Sequence, residues 1–191
     1  MSRFILASES PQRRTLLEGL KIPFEVIPSD VEEQDCVERD PGLRARVLAE
    51  MKAGNVAAIH PDAWVLGCDT LVVAANGTLL EKPQNALEAH EMIALQSGKT
   101  SLVHSGICLF RPDGTKRSAV STSSVTFRSL SKEDIAWWVG TALWQGRSGA
   151  FQIDGLGQLM IERIEGDWTG VVGLPVFLLG TLLREAGFPI E

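Results

Sequence analysis

Residues 4–20, FILASESPQRRTLLEGL, pass from an apolar stretch through a short polar loop into an amphipathic one. Phe4 to Ala7 read as a buried strand, and Leu16, Leu17 and Leu20 as the apolar face of a helix. Ser8, Ser10 and Pro11 bend the chain between them. The helix then begins with two cations, Arg13 and Arg14. A helix N-terminus already carries partial positive charge and unpaired N–H groups, so acidic residues are favoured there and arginines are not. The plain reading sends both side chains into solvent. The whole set of two serines and two arginines favours a second reading. A loop that leads into a helix N-terminus is a ready anion site, hydroxyls add donors, and forked guanidinium groups suit phosphate oxygens.

The alternation continues along the chain. Phe24 to Val31 read as a second strand and Leu43 to Ile59 as a helix. WVLGCDTLVVAAN (64–76) reads as a buried strand that breaks at Gly67–Asp69 and resumes, and Asn76-Gly77 is a hairpin turn signal. NALEAHEMIALQ (85–96) is a helix. Val103 to Phe110 and Val120 to Phe127 are strands joined by the turn RPDGT. Ser131 with Asp134 resembles a capping box, and Ile135, Trp138 and Val139 follow at helical spacing. LMIERI (159–164) is a strand. LPVFLLGTLLREAG (174–187) is a closing helix with Pro175 near its first turn and Gly187 past its end. Mixed strands and helices make the class α/β. The chain reads as a single domain over 1–191, with a weakly marked division near residue 130.

Composition narrows the function. Of 191 residues, 45% are hydrophobic and 22% charged, as in ordinary globular proteins. No apolar run is long enough to span a bilayer. The first residues lack a signal-peptide pattern. Cys36, Cys68 and Cys108 are scattered, as expected of reduced thiols, and the three histidines are scattered too, which disfavours a zinc site. A cytoplasmic protein without membrane attachment is the expectation. The formal net charge of −6 disfavours nucleic acid as a partner. The arginine pair is thus a local feature of an acidic chain, which favours one small anionic ligand.

Other residues could carry chemistry. Asp69, in VLGCDT, follows an apolar strand and a glycine, where α/β proteins commonly place ligand-handling groups. A carboxylate there can hold Mg²⁺ or act as a base for water; it can equally be a turn aspartate bonded to its own backbone. Lys82 precedes Pro83 in EKP and so sits on extended backbone, where it can neutralise phosphate or simply be solvated. Glu32 and Glu33 in DVEEQD read as an exposed acidic loop that could lend a metal ligand. GDWTGVVGLP (166–175) reads by default as a tight structural connection.

Taken in order, LASESPQRRTLL, VEE, LAEMKA, GCDT, EKP, MIALQSGKTSLVHSGICL, VTFRSLSKEDI, SGAFQIDGLG and GDWTGVVGLP resemble the Maf family of nucleoside triphosphate pyrophosphatases. The resemblance runs from about Leu6 to Leu183. It implies a two-lobed, ITPase-like α/β fold with a mixed sheet and a deep central cleft. It implies hydrolysis of a nucleoside triphosphate to the monophosphate and pyrophosphate with a divalent cation, Mg²⁺ or Mn²⁺, and a homodimer as in many members. By the same resemblance Asp69 is the catalytic base, Ser8, Arg13 and Lys52 are phosphate-side residues with Lys82 beside them, and Glu33 joins Asp69 as a metal-side carboxylate. The alternative is a non-enzymatic nucleotide-binding regulator of cell division acting through a partner.

Base preference in the family tracks three positions that correspond to Gln12, Thr70 and Asp154. Members acting on dTTP and UTP tend to carry Arg, Thr and Gln there; members acting on 7-methyl-GTP tend to carry Trp, Gln and Glu. Thr70 matches the first type, and the acidic Asp154 matches the second. A lone carboxylate accepts hydrogen bonds only. It suits the adjacent N–H donors of guanine and repels the carbonyls that flank the single N–H of thymine or uracil. Gln12, however, cannot stack on a cationic purine as tryptophan would. The base stands open between the two types. QGRSGAF (145–151) departs from the usual Lys-Ala-Gly-Ala-Tyr pattern, with Arg147 and Ser148 in place of Lys and Ala.

Overall fold

A computed structural model describes residues 3–189. Strand β1 (Phe4–Leu6) lies parallel to β2 (Glu25–Val26) on one side and to β3 (Trp64–Val73) on the other. Strand β4 (Leu79–Leu80) folds back antiparallel on the end of β3, after the Asn76-Gly77 turn. Strands β5 (Thr100–Phe110), β6 (Lys116–Phe127) and β7 (Ile161–Glu165) complete a mixed sheet in the order β2-β1-β3-β5-β6-β7. The helices are α1 (Pro11–Gly19), α2 (Pro41–Ile59), α3 (Ala86–Gln96), α4 (Lys132–Gly140), α5 (Trp168–Val172) and α6 (Val176–Ala186). The α/β class with a mixed sheet is as the sequence implied.

The helix starts follow local chemistry. Asp40 caps α2 by accepting from the Leu43 amide at 2.8 Å, with Pro41 in the first turn. Asn85 caps α3 through the Glu88 amide. Ser131 and Asp134 form the expected capping box at α4. Arg128 also grips Asp134 with two bonds of 2.9 Å, and holds its carboxyl well below the usual range. Gly187 ends α6 in the left-handed conformation, φ 75°.

The chain separates into two compact units. The first comprises Met1–Asp69, Ser105–Ser121 and Gly173–Glu191; the second comprises Thr70–His104 and Thr122–Val172. In the first unit both faces of β1 and of the adjoining stretches of β3 and β5 are buried, which is why their sequences are largely apolar rather than alternating. Phe4, Leu6, Leu66, Cys68, Ile107 and Leu109 face Leu17 of α1 and Leu179, Leu182 and Leu183 of α6. The intervening residues Ile5, Ala7, Val65 and Cys108 face Ala49, Ala53 and Val56 of α2. In the second unit, Val72, Val103, Val125 and Phe127 form a core with Ala89 and Ile93 of α3 and Ile135 and Trp138 of α4.

Three expectations are corrected. The strand foreseen over 24–31 is only the two-residue β2. The strand foreseen over 159–164 starts later, at Ile161, because Leu156–Met160 form a 3-10 turn. Strand β3 does not break at Gly67–Asp69 but runs unbroken for ten residues. Gly67 signals close approach rather than a break. A β-carbon on Gly67 would overlap the Ala49 carbonyl oxygen and come within 2.7 Å of the Ala53 amide nitrogen. On Gly106 of β5 it would overlap the Ala45 carbonyl and reach 2.6 Å from the Arg46 amide nitrogen. Helix α2 thus lies directly on the backbone of β3 and β5, helped by Ala45, Ala49 and Ala53 on its own buried side.

Gly67→Ala and Gly106→Ala are therefore each expected to lower unfolding free energy by at least about 1–3 kcal/mol through overpacking against rigid backbone. Gly19→Ala, at the exposed end of α1 with nothing near its new methyl group, should be neutral or slightly stabilising. Urea denaturation of the three variants checks this; equal effects would show that the close approach is not needed.

Candidate active site

The loop after β1 is held by the Ala7 amide, which donates to the Leu66 carbonyl at 2.8 Å. Ser8 follows and is buried. Its Oγ accepts from the Ser10 amide at 3.3 Å and from Arg13 Nη1 at 3.0 Å. A hydroxyl has two acceptor sites and one proton, so with both lone pairs engaged, what Ser8 still has to offer is its O–H. Ser10 caps α1 by accepting from the Arg13 amide, and its own hydroxyl donates to Gln12 Oε1 at 3.2 Å.

The two arginines of the first turn part company. Arg13 turns inward, and its Nε donates to the Gly173 carbonyl at 2.9 Å. Arg14, one residue on, is exposed and pairs with Glu18 at 2.8 Å along the outer face of α1. A cation at this helix end costs about 0.3–1 kcal/mol, whereas hydrogen bonds to a charged group contribute about 1.5–3 kcal/mol. The bonds to Ser8 and Gly173 therefore outweigh the dipole for Arg13. GDWTGVVGLP is more than a connection, since it contains α5 and its Gly173 carbonyl fixes the Arg13 guanidinium.

Helix α2 carries Lys52, whose side chain is 13% exposed. Its Nζ lies 2.6 Å from Asp69 Oδ1 and 2.7 Å from Glu33 Oε1. Asp69 is buried on β3, and its second oxygen, Oδ2, has no hydrogen-bond partner among the described residues. A buried carboxylate oxygen left bare is costly and calls for an explanation, such as a catalytic role or a bound water or ion. The turn-aspartate reading therefore does not hold, since Asp69 lies mid-strand and bonds Lys52 instead. Glu33 is half-exposed, in a 3-10 turn over Glu33–Asp35. That turn is pinned to α2 by Arg44, which donates to the carbonyls of Glu33, Cys36 and Glu38 at 3.2, 2.6 and 3.2 Å. Sequence reasoning missed Arg44, because an arginine that holds backbone carbonyls has no partner residue to reveal it.

Cys68 ties the group together. The positive charges of Arg13 and Lys52 and the negative charge of Asp69 all act on its sulfur, while burial pushes the thiol up to about 11. A buried thiol held protonated in this way is a poor nucleophile. For a divalent cation the donor set fits in part. Asp69 and Glu33 offer carboxylate oxygens joined through one lysine, and Mg²⁺ commonly takes one or two carboxylates and completes its shell with water and phosphate. No cluster of three metal-ligating side chains occurs among the described residues.

In the second unit, Lys82 is exposed on the segment after β4. Thr70 offers its carbonyl to Ser148 Oγ at 3.4 Å. Asp154 is not a lone carboxylate, because Arg147 Nη1 lies 3.2 Å from its Oδ1.

The family model for Maf-like proteins matches residues 3–186. The chain is 44% identical over 185 residues to a dTTP/UTP pyrophosphatase of Deinococcus radiodurans, which covers 97% of this chain and 93% of that one. It is 40% identical over 191 residues to a dTTP/UTP pyrophosphatase of Moorella thermoacetica, covering 100% and 98%. Among solved structures, a HAM1 protein from Coxiella burnetii aligns over 97% of this chain and 100% of its own, with a TM-score of 0.54 and 16% identity, a likeness of fold alone. With its motifs present in order and a family match over nearly its whole length, the chain belongs to the Maf-like protein family.

Proposed function

We propose that this protein hydrolyses a nucleoside triphosphate to the monophosphate and pyrophosphate, with a divalent cation, and that its substrates are dTTP and UTP. The relatives named dTTP/UTP pyrophosphatase support the activity and the base class. The observation that carries the reading is the bare Oδ2 of buried Asp69, whose other oxygen is held by Lys52. The regulator of cell division is not favoured, since the similar proteins are named as enzymes.

The chain's own groups divide the work. Lys52 fixes Asp69 through Oδ1, which leaves Oδ2 to orient a water and take its proton. The water oxygen bonds to the α-phosphorus, the bond from that phosphorus to the bridging oxygen breaks, and the electron pair leaves with pyrophosphate. Arg13, Lys52 and Lys82 meet the negative charge that builds there. Ser8 donates its O–H to a phosphate oxygen. Mg²⁺ or Mn²⁺ bound by Asp69 and Glu33 would neutralise phosphate charge and polarise the scissile anhydride. Arg14, engaged with Glu18, has no part. Gln12, Thr70 and Asp154 are assigned to the base.

Asp69→Asn should lower pyrophosphate release from dTTP and UTP by about 10²–10⁴-fold while nucleotide binding persists, measured by steady-state kinetics and calorimetry. A variant within a few-fold of the parent would remove Asp69 from the chemistry. Arg13→Ala should raise KM and lower kcat. It should also destabilise the nucleotide-free protein by about 1–3 kcal/mol, because the bonds to Ser8 and Gly173 are lost. Thermal melting with and without nucleotide tests both halves, and a more stable nucleotide-free variant would show that the dipole penalty dominates.

A further inference from the structure

Lys52 is one cation held by two anions, and the two contacts are unequal. Its Nζ lies 2.6 Å from Asp69 Oδ1 and 2.7 Å from Glu33 Oε1, but the Asp69 side chain is 7% exposed and that of Glu33 53%. Breaking a buried pair strands a charge away from water and is strongly unfavourable. A carboxylate at the surface is hydrated again as it leaves, so an exposed pair holds weakly. The backbone beneath Glu33 does not share that weakness. Arg44 donates to the Glu33, Cys36 and Glu38 carbonyls, and the Asp30 amide donates to Asn55 Oδ1 at 3.1 Å. Arg44, Lys52 and Asn55 all belong to α2. The segment from Asp30 to Glu38 is thereby strapped along that helix, and the Glu33 carboxylate can leave Lys52 by rotation of its side chain alone.

An ammonium has three N–H donors and no acceptor. With Asp69 on one donor and Glu33 on another, the charge of Lys52 is compensated twice over. An arriving phosphate meets two carboxylates as well as a cation. We infer that Glu33 is a resident anion on Lys52, that it occupies the donor a substrate phosphate oxygen takes, and that binding exchanges the one for the other while Asp69 stays in place. The inference rests on the pyrophosphatase reading above, which assigns Lys52 to phosphate. Glu33 then has two positions, on Lys52 before the substrate arrives and off it afterwards. In the second, its carboxylate is available to the divalent cation that accompanies the nucleotide. Phosphate pulls Lys52 away from Glu33 and the cation pulls Glu33 away from Lys52, so each favours the binding of the other. Phosphate without the cation meets a contact that opposes it.

The test is calorimetric binding of inorganic pyrophosphate, in EDTA and again with Mn²⁺, to the parent and to Glu33→Gln. Circular dichroism melting shows that the variant is folded, and Glu33→Ala serves as a second variant. In EDTA, Glu33→Gln should bind pyrophosphate about tenfold or more tightly than the parent, because a competent form populated at roughly a tenth or less weakens apparent affinity by that factor. Adding Lys52→Gln should erase the gain, since the donor that Glu33 covered is then gone. Glu32→Gln removes the same charge from the neighbouring position, where the carboxylate accepts from Gln34, and should gain far less. A Glu33 that merely braces Lys52 predicts the opposite sign, weaker binding in Glu33→Gln. Mn²⁺ should tighten pyrophosphate binding to the parent more than to Glu33→Gln. Equal or weaker binding in EDTA by the folded variants, a gain that survives Lys52→Gln, or an equal gain in Glu32→Gln overturns the exchange. An equal effect of Mn²⁺ on both proteins overturns the part given to the metal. If no nucleotide releases pyrophosphate in the parent, the hydrolysis reading fails, and pyrophosphate binding in EDTA still decides the exchange.

Discussion

A helix can approach a sheet only as closely as the side chains between them allow, and in this protein two of those side chains are absent. Gly67 and Gly106 leave β3 and β5 bare where α2 crosses them, so the helix rests on backbone. That contact sets the height of Lys52 above the strand. An ammonium 2.6 Å from Asp69 and 2.7 Å from Glu33 needs such placement. A helix lifted by even one methyl group would stretch the bond to Asp69 on β3, while Glu33, pinned to α2 by Arg44, would move with the helix. A buried ion pair of this kind is weak support for stability, because desolvation offsets much of the Coulomb gain. Its value is positional: it fixes one oxygen of Asp69 and leaves the other bare.

The same economy appears in the opening loop. Arg13 stands where the helix dipole opposes it, and Ser8 and the Gly173 carbonyl hold it there. The arginine is therefore built into the fold before any substrate arrives. Its charge and that of Lys52 both reach Cys68, beside Asp69 in the chain. The cations proposed to meet phosphate are pre-organised by the protein's own acceptors, which would reduce what substrate binding must order.

Much of this was legible in the sequence. The strand–loop–helix opening, the capping residues and the α/β class rest on local chemistry, and local chemistry decided them. Ser8, Arg13 and Asp69 stand out in the sequence by their own local pattern, whereas Lys52 and the role of Glu33 enter only through the family resemblance. What the sequence could not convey was pairing at long range. Gly67 looked like a strand break because the helix that needs it lies elsewhere in the chain. Arg14 looked equivalent to Arg13, because only the fold shows that one turns in and the other pairs with Glu18. Arg44 was silent because its partners are carbonyls. Asp154 reads as a lone carboxylate in the sequence, and only the fold sets Arg147 3.2 Å from it.

The central claim is that Asp69 directs water to the α-phosphorus of a nucleoside triphosphate. Hydrolysis of dTTP in water enriched in oxygen-18, followed by mass spectrometry of the products, tests it most directly. The account predicts one monophosphate and one pyrophosphate per turnover, with the heavy oxygen in the monophosphate. Release of orthophosphate and a diphosphate, or label in the pyrophosphate, would contradict it.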